Sequence, residues 1–240
     1  MTEQRYDIVI VGAGAAGIAT AASVKKRQPK VSIALIDPAE THFYQPGWTM
    51  VGAGIFDPPA TSRPMASLIP AGTTWIKQAV VSFEPESNLI ILNSGAQIHY
   101  EQLVVASGLT LNWSGVEGLE ENLGRNGVTS NYSYETAPYT WELVQNIKKG
   151  AALFTQPPMP IKCAGAPQKA MYLSADHWRR AGALGDIQID FCTATPGLFG
   201  VAEYVPALME YVERYGARLN FQTNLKRIDA EQKIAVFSSP

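Results

Sequence analysis

Short apolar runs alternate along the chain with longer segments in which apolar residues recur at helical spacing. Strands that alternate with helices in this way are typical of α/β proteins. The predicted strands are 6–11, 31–37, 75–83, 88–92, 102–106, 151–155, 187–193 and 218–223, and the predicted helices are 15–26, 138–149, 167–180 and 204–215. The remaining segments are predicted to be a loop with a short helix near 63–69 (40–72), an exposed connection (112–127) and a final hairpin (226–237).

Composition and charge exclude several classes of protein. The 240 residues are 46% hydrophobic with a formal net charge of −2 and no run of Lys and Arg, so we expect no nucleic-acid partner. No run of 18 apolar residues that could span a membrane is present. The chain opens almost directly into a strand without a secretion signal, and its two cysteines form no disulfide framework, which predicts a cytoplasmic protein. The three histidines lack the spacing of metal ligands, so we expect no metal site.

A glycine motif links the first predicted strand to the first predicted helix. Gly12 permits a tight turn, Gly14 lets a pyrophosphate approach the backbone, and Gly17 lets the helix pack closely on the strand. Asp37 follows Gly17 by 20 residues at the end of the second strand, where a carboxylate accepts hydrogen bonds from ribose hydroxyls. A carboxylate disfavours a 2′-phosphate, so the motif predicts the adenosine of FAD or NAD. A glycine-rich turn without a ligand is the alternative.

The turn after the predicted strand 151–155 carries a cysteine where a second glycine motif would bind a nicotinamide dinucleotide. Cys163 precedes the next predicted helix, and the positive potential at a helix amino terminus favours a thiolate. Lys162 and Lys169 add nearby positive charge. The pattern predicts sulfur chemistry at Cys163, with an inert buried thiol as the alternative. Cys192 lies in a predicted buried strand and is expected to be such an inert thiol, with a disulfide to Cys163 as the alternative.

Several segments resemble known flavoproteins. Residues 104–108, Val-Val-Ala-Ser-Gly, resemble the strand that returns to the FAD domain in flavoproteins with two dinucleotide-binding domains, with Ser107 in place of threonine. This likeness favours FAD over NAD. Over essentially all 240 residues the chain resembles sulfide:quinone oxidoreductases of the mitochondrial-like type. The segments that carry this resemblance are 43–48, 131–133, 140–141, 198–201 and 162–173, which begins Lys-Cys-Ala-Gly-Ala-Pro-Gln-Lys.

The pattern and the resemblance together predict an α/β fold with two Rossmann-like dinucleotide-binding units, each with three layers and a mostly parallel sheet. Residues 1–115 would form an incomplete FAD-type unit, and 116–240 would form the unit with the redox cysteine. The resemblance implies FAD as the cofactor. The residues expected to bind it are Gly12, Ala13, Gly14, Ala15, Ala16, Gly17, Asp37, Pro38, Pro46, Val80, Ala106, Ser107 and Gly108.

The reaction that the resemblance implies begins when sulfide attacks a bridged pair of cysteines and leaves a persulfide. Two electrons then pass through the flavin to a membrane quinone, and the sulfur leaves to an acceptor. Cys163 matches the first of the two family cysteines, and Lys169 is the second catalytic candidate. The implied partners are sulfide, a sulfur acceptor, quinone and a membrane surface on which the full-length enzyme is peripheral. A homo-oligomer is left open.

The chain departs from that family in length. The second family cysteine, a Gly-Asp motif near the flavin and the amphipathic C-terminal helices are absent, so we expect an incomplete or inactive N-terminal portion of a longer enzyme. The alternatives are a sulfide dehydrogenase that passes electrons to a cytochrome, an NADH-linked disulfide or quinone reductase, and a truncated flavoprotein without catalysis. The NADH-linked reductase requires a second glycine motif, which the Cys163 turn does not provide.

Overall fold

A computed structural model describes residues 4–239. Its contacts divide the chain into two compact units. The first unit comprises the residues up to Tyr44 together with Ser62–Thr110, and the second comprises Gln45–Thr61 together with the residues from Leu111 onward. The domain boundary expected at residue 115 stays a prediction, and the segment Gln45–Thr61 groups with the part of the chain that follows that boundary.

The first unit is built on a six-stranded sheet. Its elements are β1 (Gln4–Val11), α1 (Ala15–Arg27), β2 (Ile33–Ile36), β3 (Thr41–Phe43), β4 (Ser62–Pro64), β5 (Thr73–Ile76), β6 (Val80–Glu84), β7 (Leu89–Leu92) and β8 (Gln97–Val105). The sheet order is β5-β2-β1-β8-β7-β6. The neighbours among β5, β2, β1 and β8 pair in parallel, whereas β7 pairs antiparallel with both β8 and β6. The carboxyl ends of the four parallel strands therefore meet at one edge.

The second unit contains a three-stranded parallel sheet and an antiparallel hairpin. Its elements are α2 (Trp48–Val51), α3 (Ala137–Asn146), β9 (Gly150–Gln156), α4 (Ala166–Arg180), β10 (Ile187–Thr193), α5 (Val205–Tyr215), β11 (Arg218–Asn220), β12 (Asn224–Asp229) and β13 (Ile234–Ser238). The parallel order is β11-β10-β9, and β12 pairs with β13. Parallel strands joined by α4 and α5 confirm the predicted α/β class.

Each unit has its own apolar core. In the first unit, the face of α1 that carries the small residues Gly17 and Ala21 packs on β1, whose Val9 and Ile10 are fully buried. In the second unit α4 packs Met171, Ala175 and Trp178 against the β10 residues Ile189 and Phe191. The buried Trp178 indole donates its Nε1–H to the carbonyl oxygen of Val144 at 2.8 Å, so its polar atom is satisfied. These cores fix α1 and α4 on their sheets and thereby place the turns that precede them.

Local pattern predicted most elements but misjudged three segments. The run 75–83 contains parts of two strands. The chain leaves β5, at one edge of the sheet, turns at 77–79 and enters β6 at the other edge. The strand expected at 102–106 begins at Gln97. The short helix expected near 63–69 is a 3₁₀ turn at Met65–Ser67, preceded by β4, which pairs with β3. β5, β8 and β4 each pair with a strand that is distant in sequence, namely β2, β1 and β3, and local periodicity does not report such pairings.

Candidate functional site

The three glycines of the first unit have different physical roles. Gly12 follows β1 with φ +102°, and a Cβ there would lie 2.3 Å from the carbonyl oxygen of Ala106 and 3.0 Å from Cα of Ser107. A Cβ on Gly17 would lie 1.8 Å from the carbonyl oxygen of Gly12. A Cβ on Gly14 meets nothing within 4 Å. Gly12 and Gly17 therefore permit close backbone packing, whereas Gly14 borders open space that a ligand could enter.

Asp37 connects the end of β2 to the glycine loop. Its Oδ2 accepts the backbone N–H of Ala13 at 2.7 Å, and its Oδ1 accepts that of Ala39 at 2.8 Å. Its carbonyl oxygen accepts the Trp75 Nε1–H at 3.0 Å, and the His42 Nδ1 lies 3.4 Å from the carbonyl oxygen of Ala13. Each carboxylate oxygen still has a free lone pair for a ribose hydroxyl. The open space at Gly14 and this carboxylate fit a dinucleotide.

The other cofactor candidates of the first unit are spread around that edge and its core. Ala15 and Ala16 open α1 and are exposed, as is Pro38, which follows Asp37. Ser107 and Gly108 are exposed after the carboxyl end of β8. Val80 begins β6, and its side chain packs against the apolar core of the first unit.

The second unit encloses a cavity of about 220 Å³ around Cys163, here called the Cys163 cavity. The catalytic candidates Cys163 and Lys169 both line it, as do Lys162 and Pro46. The other lining residues are Gln45, Trp48, Thr49, Thr129, Ser130, Asn131, Tyr132, Thr140, Leu153, Phe154, Thr155, Ala166, Pro167 and Ala170. None of these described residues is a carboxylate. The Cys163 cavity therefore combines a thiol with two cationic side chains.

A tight turn places Cys163 at the amino terminus of α4. The carbonyl oxygen of Cys163 accepts the Ala166 N–H at 3.1 Å, and that of Gly165 accepts the Lys169 N–H at 2.9 Å to begin the helix. Pro167 lies in the first turn, where its missing N–H costs no hydrogen bond. No side chain caps the Gly165 position. The half-buried thiol of Cys163 thus precedes a 15-residue helix whose amino end favours negative charge.

Electrostatics in the Cys163 cavity favour an anion. Partial burial lowers the pKa of the Lys162 ammonium; the negative charge of Cys163 acts against this shift, and the positive charge of Lys169 adds to it. Burial also raises the pKa of the Tyr132 hydroxyl, and the charge of Cys163 raises it further. The lysines and the thiolate are thus close enough to affect one another. An anion bound among them would relieve the repulsion between the two ammonium groups.

The second cysteine belongs to a different environment. Cys192 is 5% exposed in β10, where its Cα pairs with Thr155 and Asn220 on the neighbouring strands. Burial raises the pKa of its thiol. Both cysteines are free thiols. The expectation of a buried thiol at Cys192 is confirmed.

Sequence reasoning missed the wall of the Cys163 cavity that faces the thiol. Tyr132 and Thr140 line the cavity, yet the sequence assigned no role to either. The signal was present, because segments 131–133 and 140–141 carried part of the family resemblance. Trp48 lines it as well, from the segment Gln45–Thr61. A local pattern could not show that these segments meet at the Cys163 turn.

Comparison with known proteins identifies the family. Residues 6–140 match the family described as pyridine nucleotide-disulphide oxidoreductase. The chain belongs to this family. A solved sulfide:quinone oxidoreductase from the hyperthermophilic bacterium Aquifex aeolicus superimposes with a TM-score of 0.79 at 23% identity, covering 98% of this chain and 56% of that chain. At this identity the superposition shows a shared fold, in agreement with the predicted Rossmann-type architecture.

Two curated relatives are more similar in sequence. The mitochondrial sulfide:quinone oxidoreductase of Dictyostelium discoideum is 42% identical over 235 residues, covering 97% of this chain and 52% of that protein. The mitochondrial sulfide:quinone oxidoreductase of Mus musculus is 39% identical over 235 residues, covering 98% and 52%. The chain thus spans about half the length of these relatives, and the predicted resemblance is confirmed. Both names say mitochondrial, so the expected cytoplasmic location has no support from them.

Within residues 4–239, no helix combines the length and the apolar character that crossing a membrane requires. Over the same residues, no group of three or more His, Cys, Asp or Glu side chains is arranged to hold a metal ion.

Proposed function

We propose that this chain is the FAD-binding and sulfur-binding part of an enzyme that oxidises sulfide and passes the electrons to a quinone. The observation that carries the proposal is the Cys163 cavity, in which a half-buried thiol lies with Lys162 and Lys169 and without a carboxylate among the described lining residues. The names of the relatives, which specify sulfide and quinone, agree with this chemistry.

In the proposed reaction, hydrosulfide attacks a disulfide between Cys163 and a second cysteine. The sulfur–sulfur bond of the disulfide breaks, a new one forms to the incoming sulfur, and a persulfide and a thiolate remain. Lys169 and Lys162 stabilise the hydrosulfide that enters and the thiolate that leaves. The persulfide sulfur then passes to an acceptor, and the two cysteine thiols that remain must lose two electrons to restore the disulfide. Because hydrosulfide, thiolate and persulfide are anionic, a cavity with two cations and no carboxylate among its described lining residues suits these species.

The first unit is proposed to hold FAD at the edge formed by the parallel strands. The glycine loop Gly12–Gly17 would receive the pyrophosphate on backbone N–H groups, and Asp37 would accept hydrogen bonds from the ribose. When bound, FAD supplies the two-electron acceptor that oxidation of sulfide requires. The further proposed contacts in this unit are Pro38, Val80, Ala106, Ser107 and Gly108, and the family resemblance implies a contact at Pro46, which belongs to the second unit.

Replacement of Cys163 by serine tests the proposal in the protein that carries this sequence at its natural length. We expect Cys163→Ser to abolish sulfide-dependent reduction of a short-chain quinone while the flavin absorbance is unchanged. Cys192→Ser is the matched control and is expected to retain turnover, because that thiol is buried in β10 and does not line the Cys163 cavity. Wild-type turnover in Cys163→Ser would refute the proposed role of the thiol. NADH-dependent quinone reduction that is independent of Cys163 would favour the NADH-linked alternative.

A further inference from the structure

A set of hydroxyl hydrogen bonds attaches the segment Thr129–Ser133 to the start of α3. The Thr129 hydroxyl donates to the carbonyl oxygen of Thr136 at 3.0 Å and lies 2.7 Å from the Thr140 hydroxyl. The Thr136 hydroxyl donates to the carbonyl oxygen of Ser130 at 2.6 Å. Thr136 and Thr140 are both 7% exposed, so these bonds are shielded from water. The segment is therefore held on a helix that packs in the core of the second unit.

Tyr132 extends from this segment to the Cys163 turn. Its backbone N–H donates to the Ser130 hydroxyl at 3.1 Å, and its own hydroxyl donates to the carbonyl oxygen of Cys163 at 3.3 Å. That carbonyl also accepts the N–H of Ala166 in the first turn of α4. Both lone pairs of the Cys163 carbonyl are thus occupied, one by α4 and one by Tyr132. Tyr132 links the turn that carries the thiol to the segment attached to α3.

The Tyr132 hydroxyl is a hydrogen-bond donor at neutral pH. Burial raises the pKa of this phenol above its ordinary value of 10.0, and the negative charge of Cys163 raises it further. The phenol is therefore protonated at neutral pH. A hydrogen bond of this kind restricts the movement of the turn without adding charge to the Cys163 cavity.

We propose that Tyr132 is a positioning residue that holds the Cys163 turn, and with it the reactive sulfur, at the wall of the Cys163 cavity. Its importance for turnover rests on the proposed function, whereas its effect on the turn does not. Without the hydroxyl the turn opens more often, so the half-buried sulfur becomes more accessible to small reagents and less well placed for its reaction. Greater accessibility together with slower catalysis is the signature of lost positioning.

The test compares Tyr132→Phe with Tyr139→Phe. Tyr139 lies on α3, and its hydroxyl accepts the Gly127 N–H at 3.0 Å, so both variants lose one hydrogen bond to the backbone. Alkylation by iodoacetamide is followed at each cysteine by peptide mass spectrometry. Since one hydrogen bond changes a local opening equilibrium by about threefold to tenfold, Cys163 should react faster by about that factor in Tyr132→Phe. Tyr139→Phe should react at the wild-type rate, and Cys192 should stay protected in both.

Steady-state kinetics separate positioning from general damage to the fold. In the protein at its natural length, Tyr132→Phe should lower kcat for sulfide oxidation while the KM for quinone is unchanged. A wild-type alkylation rate at Cys163 in Tyr132→Phe, or equal acceleration in Tyr139→Phe, overturns the positioning role. If alkylation accelerates as expected but Cys163→Ser retains turnover, the proposed function fails while the effect of Tyr132 on the turn stands.

Discussion

Replacing Gly17 with alanine tests the packing of α1 on the glycine loop. The new Cβ would lie 1.8 Å from the carbonyl oxygen of Gly12, more than 1 Å inside the 3.0 Å below which such contacts are essentially never found. The obstructing atom is backbone, so no side-chain rotation relieves the overlap. Gly12 itself cannot move easily, because it has φ +102° and packs on the backbone of Ala106. Relief therefore requires α1 to move away from β1, whose neighbouring side chains are fully buried.

The magnitude follows from two opposing effects. Overpacking costs about 1–3 kcal/mol, and more where backbone atoms overlap, whereas alanine gains about 1 kcal/mol over glycine in a helix. Because the obstructing atom is backbone, the cost falls at the upper end of that range, and we expect a net loss of about 2 kcal/mol for Gly17→Ala, which lowers the melting temperature of a chain of this size by about 4–8 °C. Gly14→Ala is the matched control. Its Cβ meets nothing within 4 Å and its φ is −69°, so the free energy of unfolding should change by less than about 1 kcal/mol.

Thermal unfolding followed by circular dichroism measures the melting temperature of each variant. The flavin content after purification measures how much FAD each variant binds. Under the proposed function, Gly14→Ala should keep the fold yet lose bound FAD, because its methyl group lies where the pyrophosphate would approach. Gly17→Ala should lose both thermal stability and bound FAD. A wild-type melting temperature in Gly17→Ala, or equal destabilisation by Gly14→Ala, would refute the assignment of one glycine to packing and the other to ligand approach.

Two further substitutions test the second unit. Lys169→Gln removes one cation from the Cys163 cavity and should raise the KM for sulfide several-fold in steady-state assays, whereas Lys148→Gln, at an exposed position, should not. The Arg218 guanidinium hydrogen-bonds Asp190 and holds the pKa of that carboxyl below 3.8, so the stability from this pair is lost as the pH falls through the lowered pKa. Asp190→Asn should therefore flatten the decline in stability between about pH 5 and about pH 3, measured by urea unfolding; an unchanged decline would contradict this linkage.

The sequence predicted what depends on neighbours along the chain. The glycine motif between β1 and α1, the turn at Cys163 and the amphipathic α4 were found where local pattern placed them. The separation of β5 from β6 was missed, because apolar residues resume directly after Lys77 and Gln78, while the two halves of the segment pair with different strands. Asp37 was predicted as a ribose ligand, and its hydrogen bond to the Ala13 N–H could be seen only once both residues were in three dimensions.

Only part of the Cys163 cavity was predicted, because local pattern reports neighbours along the chain and the cavity is lined by several separate stretches. Cys163 and Lys169 belong to one short stretch of sequence, in which Cys163 precedes α4 and Lys169 lies near the amino end of that helix, so their proximity follows from the local chain. Tyr132 and Trp48 come from two other stretches, and neither has a local pattern that indicates its contact with the cavity. What the sequence offered for Tyr132 was likeness to a family, which marks a residue as shared without giving its physical role.

The assignment of Gln45–Thr61 to the second unit has a consequence for synthesis. This segment emerges from the ribosome before Ser62–Thr110, which belongs to the other unit, and long before α3. Until then the apolar side chains of Trp48 and Val51, 6% and 3% exposed in the finished protein, have no core to enter. The nascent chain therefore exposes the apolar side chains of Gln45–Thr61 while some dozens of further residues are translated. Chaperones act on nascent polypeptides in this period.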